Sequence, residues 1–308
     1  MSDYDVIVAG SGLAGLTAGL FAARYGLSTL VLESNIPGGH LISVEKIDDF
    51  PGFPDGIAGY DLCPTVQRQA ADQGAEFQRA EVQNLNPEGP FWSVITDEER
   101  HRAKAVILAT GSSLKELGIP GEAKLMGRGV SHCASCDGPL YNEKTVGVIG
   151  GGDSALQEAL TLANYAASVL IFTKEESFDG QFSYVQRALS QPKIEPRYRT
   201  VIEAILGDDV VSGVRAHDLQ SNEPLEVDLA GLFIYVGLKP NTTFLTDLVH
   251  LSDSGHVPTD GWMRTEREGL FAAGDIRQDS AAQAITCTGD GATAAIAAYR
   301  YITARFPK

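Results

Sequence analysis

Apolar residues in this chain come in short uninterrupted runs, each followed by glycines and then by a longer, mixed stretch. Tyr4 to Ala9 holds Val6-Ile7-Val8-Ala9, the pattern of a strand buried on both faces. Gly10-Ser11-Gly12-Leu13-Ala14-Gly15 follows, then a helix-like stretch from Leu16 to Tyr25 and a second apolar run, Thr29 to Leu32, ending in Glu33. The same succession returns 140 residues later, from Gly10 to Gly150: a run from Val146 to Ile149, Gly150-Gly151-Gly152-Asp153-Ser154-Ala155, a helix through Asn164 and a strand from Val169 to Phe172. Ala105 to Ala109 and Leu229 to Val236 are further strand-like runs. Leu270-Phe271-Ala272-Ala273-Gly274-Asp275 is a strand that delivers an acid at its C-terminal end, and Gln283 to Arg305 is helix-rich.

Strand, glycine turn, helix, strand and terminal acid together form a dinucleotide-binding pattern. Gly10 permits the tight turn, Gly12 lets a pyrophosphate approach the backbone and the helix N-terminus, and Gly15 allows close helix packing. Glu33 then stands where a ribose hydroxyl is held. In the second copy Thr173, followed by Lys174, Glu175 and Glu176, falls where Glu33 stood, so the ribose acid is absent. Pro37-Gly38-Gly39-His40 and Phe50-Pro51-Gly52-Phe53-Pro54 are loops expected to cover a bound cofactor. Ser113 to Gly118 and Gly237 to Asn241 are expected to carry the chain out of the first domain and back. The expectation is an α/β protein of two Rossmann-like domains, one discontinuous (1–114 and 243–308) with the other (115–242) inserted.

A length of 308 residues suits two domains. A formal net charge of -16 makes nucleic acid and anionic membrane surfaces poor partners. No basic, apolar and small-residue leader precedes the first strand, and Arg24 interrupts the most apolar long segment, Leu13 to Leu32; a cytoplasmic enzyme is expected. Four cysteines do not make the disulfide framework of a secreted domain.

Two of those cysteines form the motif Cys133-Ala134-Ser135-Cys136-Asp137, preceded by His132. A pair at this spacing can close a small disulfide, and His132 and Asp137 are titratable groups able to move the proton that each new thiol needs. The competing reading, half of a zinc site, lacks a second close pair, since Cys63 and Cys287 stand alone. Cys63 and Cys287 read as small packed hydrophobes.

These motifs, in this order, resemble the low-molecular-weight thioredoxin reductases over nearly the whole chain. The matching pieces are Gly10 to Gly15 with Glu33, the Gly38-Gly39 loop, Ala109-Thr110-Gly111, Cys133 to Gly138, Gly150 to Ala155, and Gly274-Asp275. The resemblance implies a homodimer whose first domain holds FAD, with Gly10, Gly12 and Gly15 at the pyrophosphate, Glu33 at the ribose and Asp275 on the ribityl side. Ser11, Ala14, Gly39, His40, Val82, Ala109, Thr110, Gly111, Gly274, Gln283 and Ala284 complete the implied cofactor contacts. His40 either tunes the flavin or serves only its loop. Gly150, Gly152, Asp153, Ser154, Ala155, Thr173 and Lys174 form the implied second nucleotide site. Cys136 is implied to face the flavin, Cys133 to exchange with a thioredoxin-like protein or small disulfide, and Asp137 to give the proton. The family also rotates its second domain about the two crossings.

At one place the sequence departs from the family. Members that use NADPH carry a histidine and paired arginines after the second domain's second strand, whereas this chain has Thr173-Lys174-Glu175 and, further on, Asp179. A lysine among acids is a weak grip on a 2′-phosphate, so NADPH is expected to be a poor donor or none. Relatives that work without a nicotinamide take electrons from ferredoxin or carry a second flavin, and this sequence is similar to them here. The second turn is expected to still offer its N–H groups to an adenine nucleotide such as NADH or a second FAD. An oxygen-dependent dithiol oxidase and a non-enzymatic flavin redox sensor are the alternative functions.

Overall fold

The computed structural model describes residues 2–307. β1 (Ser2–Ala9) runs into the first glycine turn, α1 (Leu13–Arg24) and β2 (Thr29–Glu33). Helix α1 begins earlier than the apolar pattern implies, because Gly12 already serves as N-cap and its carbonyl accepts the Leu16 N–H at 2.9 Å. α2 (Gly59–Asp72), β3 (Glu76–Arg79), β4 (Val82–Glu88) and β5 (Phe91–Thr96) fall where the sequence pattern pointed to no element. β4 buries only Leu85 fully, so it carries no alternation to read. β6 (Arg100–Leu108) starts before the expected run and stops one residue short of Ala109.

Next come β7 (Ser112–Leu114), α3 (Glu122–Leu125), β8 (Val130–Ser131) and α4 (Ala134–Asp137). The second repeat follows as β9 (Thr145–Ile149), α5 (Asp153–Leu162) and β10 (Ser168–Phe172), then α6 (Phe182–Ser190) and β11 (Ile194–Arg197). β12 (Thr200–Leu206), β13 (Gly213–Asp218), β14 (Glu223–Asp228), β15 (Gly231–Ile234) and β16 (Leu238–Pro240) lead to β17 (Leu270–Ala272) and the long α7 (Ala284–Arg305). The chain divides into two compact units, one formed by residues up to Ser113 together with those from Lys239 onward, the other by Leu114 to Leu238. The two passages include the short strands β7 and β16, which pair with each other. Lys115 N–H donates to the Gly237 carbonyl at 3.0 Å.

The first unit is built on a sheet of order β3-β2-β1-β6-β5-β4, with β17 also beside β6. β3, β2, β1, β6 and β17 run parallel, and β5 and β4 turn antiparallel. One face packs Val6, Val8 and Ile107 against Ala14, Ala18, Ala294 and Ala298 of the α1–α7 pair. Small residues let the two helices approach: a Cβ on Gly291 would stand 2.1 Å from the Ala14 carbonyl oxygen. The other face gathers Ile7, Leu30, Leu32, Val106 and Leu108. The second unit has a parallel sheet, β11-β10-β9-β15-β8, and an antiparallel one, β12-β13-β14. Fully buried Phe172 and Phe233 anchor it, each contributing about 1.5–3 kcal/mol through apolar burial. In each unit the central strand, β1 or β9, feeds a helix across a glycine turn at its C-terminal end, the edge where open α/β sheets bind ligands. Among the described residues no helix is long and apolar enough to cross a membrane.

Candidate active site

At the first turn, Gly10 has φ +98° and a Cβ there would meet the Ala109 carbonyl oxygen at 2.4 Å; one on Gly15 would lie 1.9 Å from the Gly10 carbonyl oxygen. Apart from its chain neighbours, no described heavy atom lies within 4 Å of the Cβ position of Gly12, so the backbone is open where a pyrophosphate would approach. Ser11 donates to Glu33 Oε2 through its N–H at 2.8 Å and its hydroxyl at 2.7 Å, and the Asn35 N–H donates to Oε1 at 3.0 Å. The carboxylate is thereby fixed beside the turn. Gly38 N–H donates to the Ser11 carbonyl at 2.8 Å, and a Cβ on Gly39 would sit 3.3 Å from Gly12 Cα, so the expected cover loop does lie against the turn. Val82 lies two residues beyond Ala80, whose N–H donates to the Glu33 carbonyl at 2.9 Å.

Gly274 completes this assembly, since a Cβ on it would meet the Cβ of Ala14 at 2.9 Å. Asp275 lies in a 3-10 turn, Gly274–Ile276, rather than on the strand itself, because β17 ends at Ala272. Its carboxylate accepts from Cys287 Sγ at 3.2 Å and from the Ser280 hydroxyl at 3.4 Å. Burial, reinforced by the Asp275 carboxylate, pushes the Cys287 thiol far up, so it stays protonated. Cys287 packs against the core as expected of a small hydrophobe, and no local signal announces its hydrogen bond. Asp290, almost fully buried, is paired with Arg277 Nε at 2.9 Å and takes the Gly274 N–H at 3.2 Å. Gln283 is the N-cap of α7, forming a capping box with Thr286, and Ala284 is the first helical residue. Thr110 and Asn241 exchange hydrogen bonds, hydroxyl to carbonyl at 2.9 Å and amide to carbonyl at 2.8 Å, and Gly111 has φ +61°. His40 Nε2 is 2.5 Å from the Ser112 carbonyl oxygen, which makes this nitrogen the donor and holds the ring within the unit. An open glycine turn at a helix N-terminus, a fixed carboxylate at the end of β2 and a second acid near by fit an adenine dinucleotide such as FAD.

In the second unit Cys133 and Cys136 are joined by a disulfide with Cα atoms 5.3 Å apart. Cys133 is the N-cap of α4: its sulfur accepts the Cys136 N–H at 3.2 Å, and its carbonyl accepts the Asp137 N–H at 3.1 Å. A sulfur so placed is favoured as a thiolate once the bond opens. His132 Nδ1 is 3.0 Å from the Ile234 carbonyl oxygen, so that nitrogen carries a proton and exchange is left to Nε2. Glu158 on α5 was not singled out from the sequence, yet its Oε2 accepts the Ala134 N–H at 2.9 Å and the Tyr235 hydroxyl at 3.2 Å. Burial first, and then Glu158, pushes the Tyr235 hydroxyl far up, so it remains a donor.

The second turn repeats the backbone of the first but not its surroundings. Gly150 has φ +134° and faces the Tyr235 carbonyl; Asp153 opens α5, Ser154 is exposed and Ala155 is buried where the first copy has Gly15. Thr173 is buried, and its hydroxyl oxygen accepts the Glu175 N–H at 3.3 Å. Lys174 is exposed and 3.7 Å from Glu175. Lys174 is joined by Arg199, in the turn between β11 and β12, its N–H donating to the Glu175 carbonyl and its guanidinium 2.7 Å from Glu176. Strand pairing across 25 residues brings it in, which no local motif reveals.

The chain matches the family model described as pyridine nucleotide-disulphide oxidoreductase over residues 4–291. It is 39% identical to a thioredoxin reductase of Treponema pallidum (strain Nichols) over 301 residues, 98% of each chain. The crystal structure of Lactococcus lactis thioredoxin reductase in its FR conformation superposes with a TM-score of 0.96 at 37% identity, covering 98% of this chain and 99% of that one. That of T. acidophilum thioredoxin reductase gives 0.94 at 33% identity, covering 97% and 99%. With a disulfide at an N-terminal helix cap and a first turn that fits FAD, the chain belongs to the pyridine nucleotide-disulphide oxidoreductases, as an FAD-dependent disulfide oxidoreductase of the thioredoxin reductase type.

Proposed function

We propose that this protein exchanges electrons between FAD and the Cys133–Cys136 disulfide and passes them to a thioredoxin-like protein or a small disulfide, with NADPH a poor electron donor. The disulfide at the start of α4 is the observation that carries the reading. FAD is assigned to the unit containing the first turn, through Gly10, Ser11, Gly12, Ala14, Gly15, Glu33, Gly39, His40, Val82, Ala109, Thr110, Gly111, Gly274, Asp275, Gln283 and Ala284. When bound, FAD supplies a couple able to accept or give two electrons.

The protein's own residues account for the thiol chemistry. In the reduced state the Cys133 thiolate, stabilised by the Cys136 N–H and the start of α4, attacks a sulfur of the substrate disulfide; a mixed disulfide forms and one substrate thiolate leaves. Cys136, deprotonated by the neighbouring Asp137, then attacks the Cys133 sulfur, the second substrate thiolate departs and the Cys133–Cys136 bond re-forms. Two electrons pass to substrate, and the two protons given up by Cys133 and Cys136 follow them: the Cys136 proton, taken by the Asp137 carboxylate, goes on to the second substrate thiolate, and the Cys133 proton, taken by His132 Nε2 because Nδ1 is held by Ile234, goes to the first.

The donor reading rests on charge at the end of β10. Lys174 and Arg199 are engaged by Glu175 and Glu176, and a cation already paired to a carboxylate offers little to a 2′-phosphate carrying nearly two negative charges. A donor other than NADPH, such as reduced ferredoxin, fits this charge. Anaerobic mixing with NADPH, NADH and reduced ferredoxin in turn, following flavin absorbance, tests it: ferredoxin should bleach the flavin and micromolar NADPH should not. Rapid bleaching by NADPH would sink the donor reading. Dithiols should bleach the flavin by the reverse route, and Cys136→Ser should lower that rate at least a hundredfold; equal rates in variant and wild type would sink the relay.

A further inference from the structure

We infer that Asp179 is a specificity-determining residue that closes the second glycine turn to the pyrophosphate of any dinucleotide, NADH and a second FAD included. This rests on the donor reading above and extends it from the 2′-phosphate to the part that all dinucleotides share.

After β10 the chain doubles back across the turn. Asp179 N–H and Gly180 N–H both donate to the Gly151 carbonyl, at 3.1 and 3.2 Å, so this segment is fastened to the turn's own backbone. Phe178 is buried in the core of the unit, its ring 5.0 Å from that of Tyr198, and anchors the segment from below. Asp179 Oδ1 lies 3.2 Å from the Cβ position of Gly151 and 3.8 Å from that of Gly152. It therefore stands over the two glycines whose missing side chains would otherwise leave room for phosphate oxygens. At the first turn Ser11, the counterpart of Gly151, turns its N–H and hydroxyl to the Glu33 carboxylate, but Gly12, the counterpart of Gly152, has no described heavy atom beyond its chain neighbours within 4 Å of its Cβ position.

The segment is also latched to α5. Asp153 accepts the Gln181 N–H at 2.6 Å and its side-chain amide at 3.0 Å, so the first residue of the helix grips the strap rather than facing a ligand. A Cβ on Gly180 would come within 3.2 Å of the Asp153 nitrogen and 2.7 Å of Leu156 Cδ1, which places the strap against the first N–H of α5. An anion bound at a helix N-terminus needs that N–H and a neutral or positive surround. Here it would meet a carboxylate and a backbone held at three points. Asp179 is exposed and can change rotamer, but with Phe178 in the core and both backbone N–H groups bonded, its carboxylate stays within reach of the turn. The placement replaces the expectation that the intact turn still welcomes an adenine nucleotide.

Holoprotein saturated with FAD, so that the first turn is filled, is titrated calorimetrically with NADH and with ADP. Wild type is expected to show no saturable binding of either tighter than about 1 mM. Asp179→Ala should bind both at least tenfold more tightly, and Asp179→Asn, which keeps the bulk and removes the charge, should show a smaller gain. NADH binding by wild type below about 0.1 mM would overturn the inference. So would variants that bind no more tightly than wild type while keeping its flavin content and circular dichroism; the Asn variant holds the test open if the Ala variant is unstable. Binding rather than flavin reduction is measured, so variants without gain sink the strap alone, whereas wild-type reduction by NADPH sinks the donor reading.

Discussion

The two glycine turns share a backbone plan and differ in what the next segment of chain does with it. After β2 the chain withdraws: Glu33 is tied back to Ser11 and Asn35, the Gly38-Gly39 loop braces the side of the turn, and the space before Gly12 stays clear. After β10 it returns across the turn, anchored by Phe178, and sets Asp179 over Gly151 and Gly152. A glycine pattern thus reports that a backbone can come close to a phosphate. Whether a phosphate arrives is decided by a segment some 25 residues further on, through charge and occupied volume.

The sharpest way to break the comparison is at Gly15, where Ala would place a Cβ 1.9 Å from the Gly10 carbonyl oxygen. Ala155 holds the matching position of the second turn without such a clash. Gly15→Ala should leave less than about a tenth of the wild-type flavin bound after gel filtration and cost about 1–3 kcal/mol or more of stability through overpacking. Near-normal flavin content would mean that the first turn is not the cofactor's seat. A smaller effect is expected at Glu33: Glu33→Ala removes the acceptor of the Ser11 and Asn35 hydrogen bonds, and FAD affinity measured by fluorescence should fall about ten- to a hundredfold, at about 1.4 kcal/mol per tenfold. Unchanged affinity would remove the ribose role.

The converse change, Thr173→Glu, gives the second copy the acid that it lacks. No gain in NADH affinity beyond about twofold is expected while Asp179 remains; a large gain from this substitution alone would show that the ribose acid, and not the strap, is limiting. The smallest effect concerns Cys63, whose sulfur lies against the Gly38 carbonyl at 3.7 Å beneath the first turn's loop. Burial pushes its thiol up to about 11 from 9.0. The native state therefore keeps this proton longer than the unfolded chain, and its contribution to stability is full below about pH 9 and declines as pH rises from there to about 11. Urea melts across that range should show a shallower decline in Cys63→Ala than in wild type; parallel slopes would assign the pH dependence elsewhere.

Much of the scaffold could be read from the chain alone, since buried parallel strands and tight turns are written in local residues: Val6 to Ala9, Val146 to Ile149, the two glycine turns, and Cys133 with Cys136. β4 could not, because it buries Leu85 alone among its residues and leaves no period to detect. The two crossings include the paired strands β7 and β16, which no local signal shows because the pairing is set by residues more than 120 positions apart.

By itself, the sequence determined the fold class, the repeated dinucleotide pattern and the redox pair, because each depends on neighbours in the chain and on side-chain size. Only the tertiary structure decided that Glu158 caps the start of the redox helix, that Arg199 joins Lys174 among the acids, and that Asp179 stands over the second turn. Those are consequences of parallel strand pairing and of Phe178 entering the core. Electrostatic contacts depend on distance in space, and the folding of the sheet, rather than any motif, brings these charges within reach of one another.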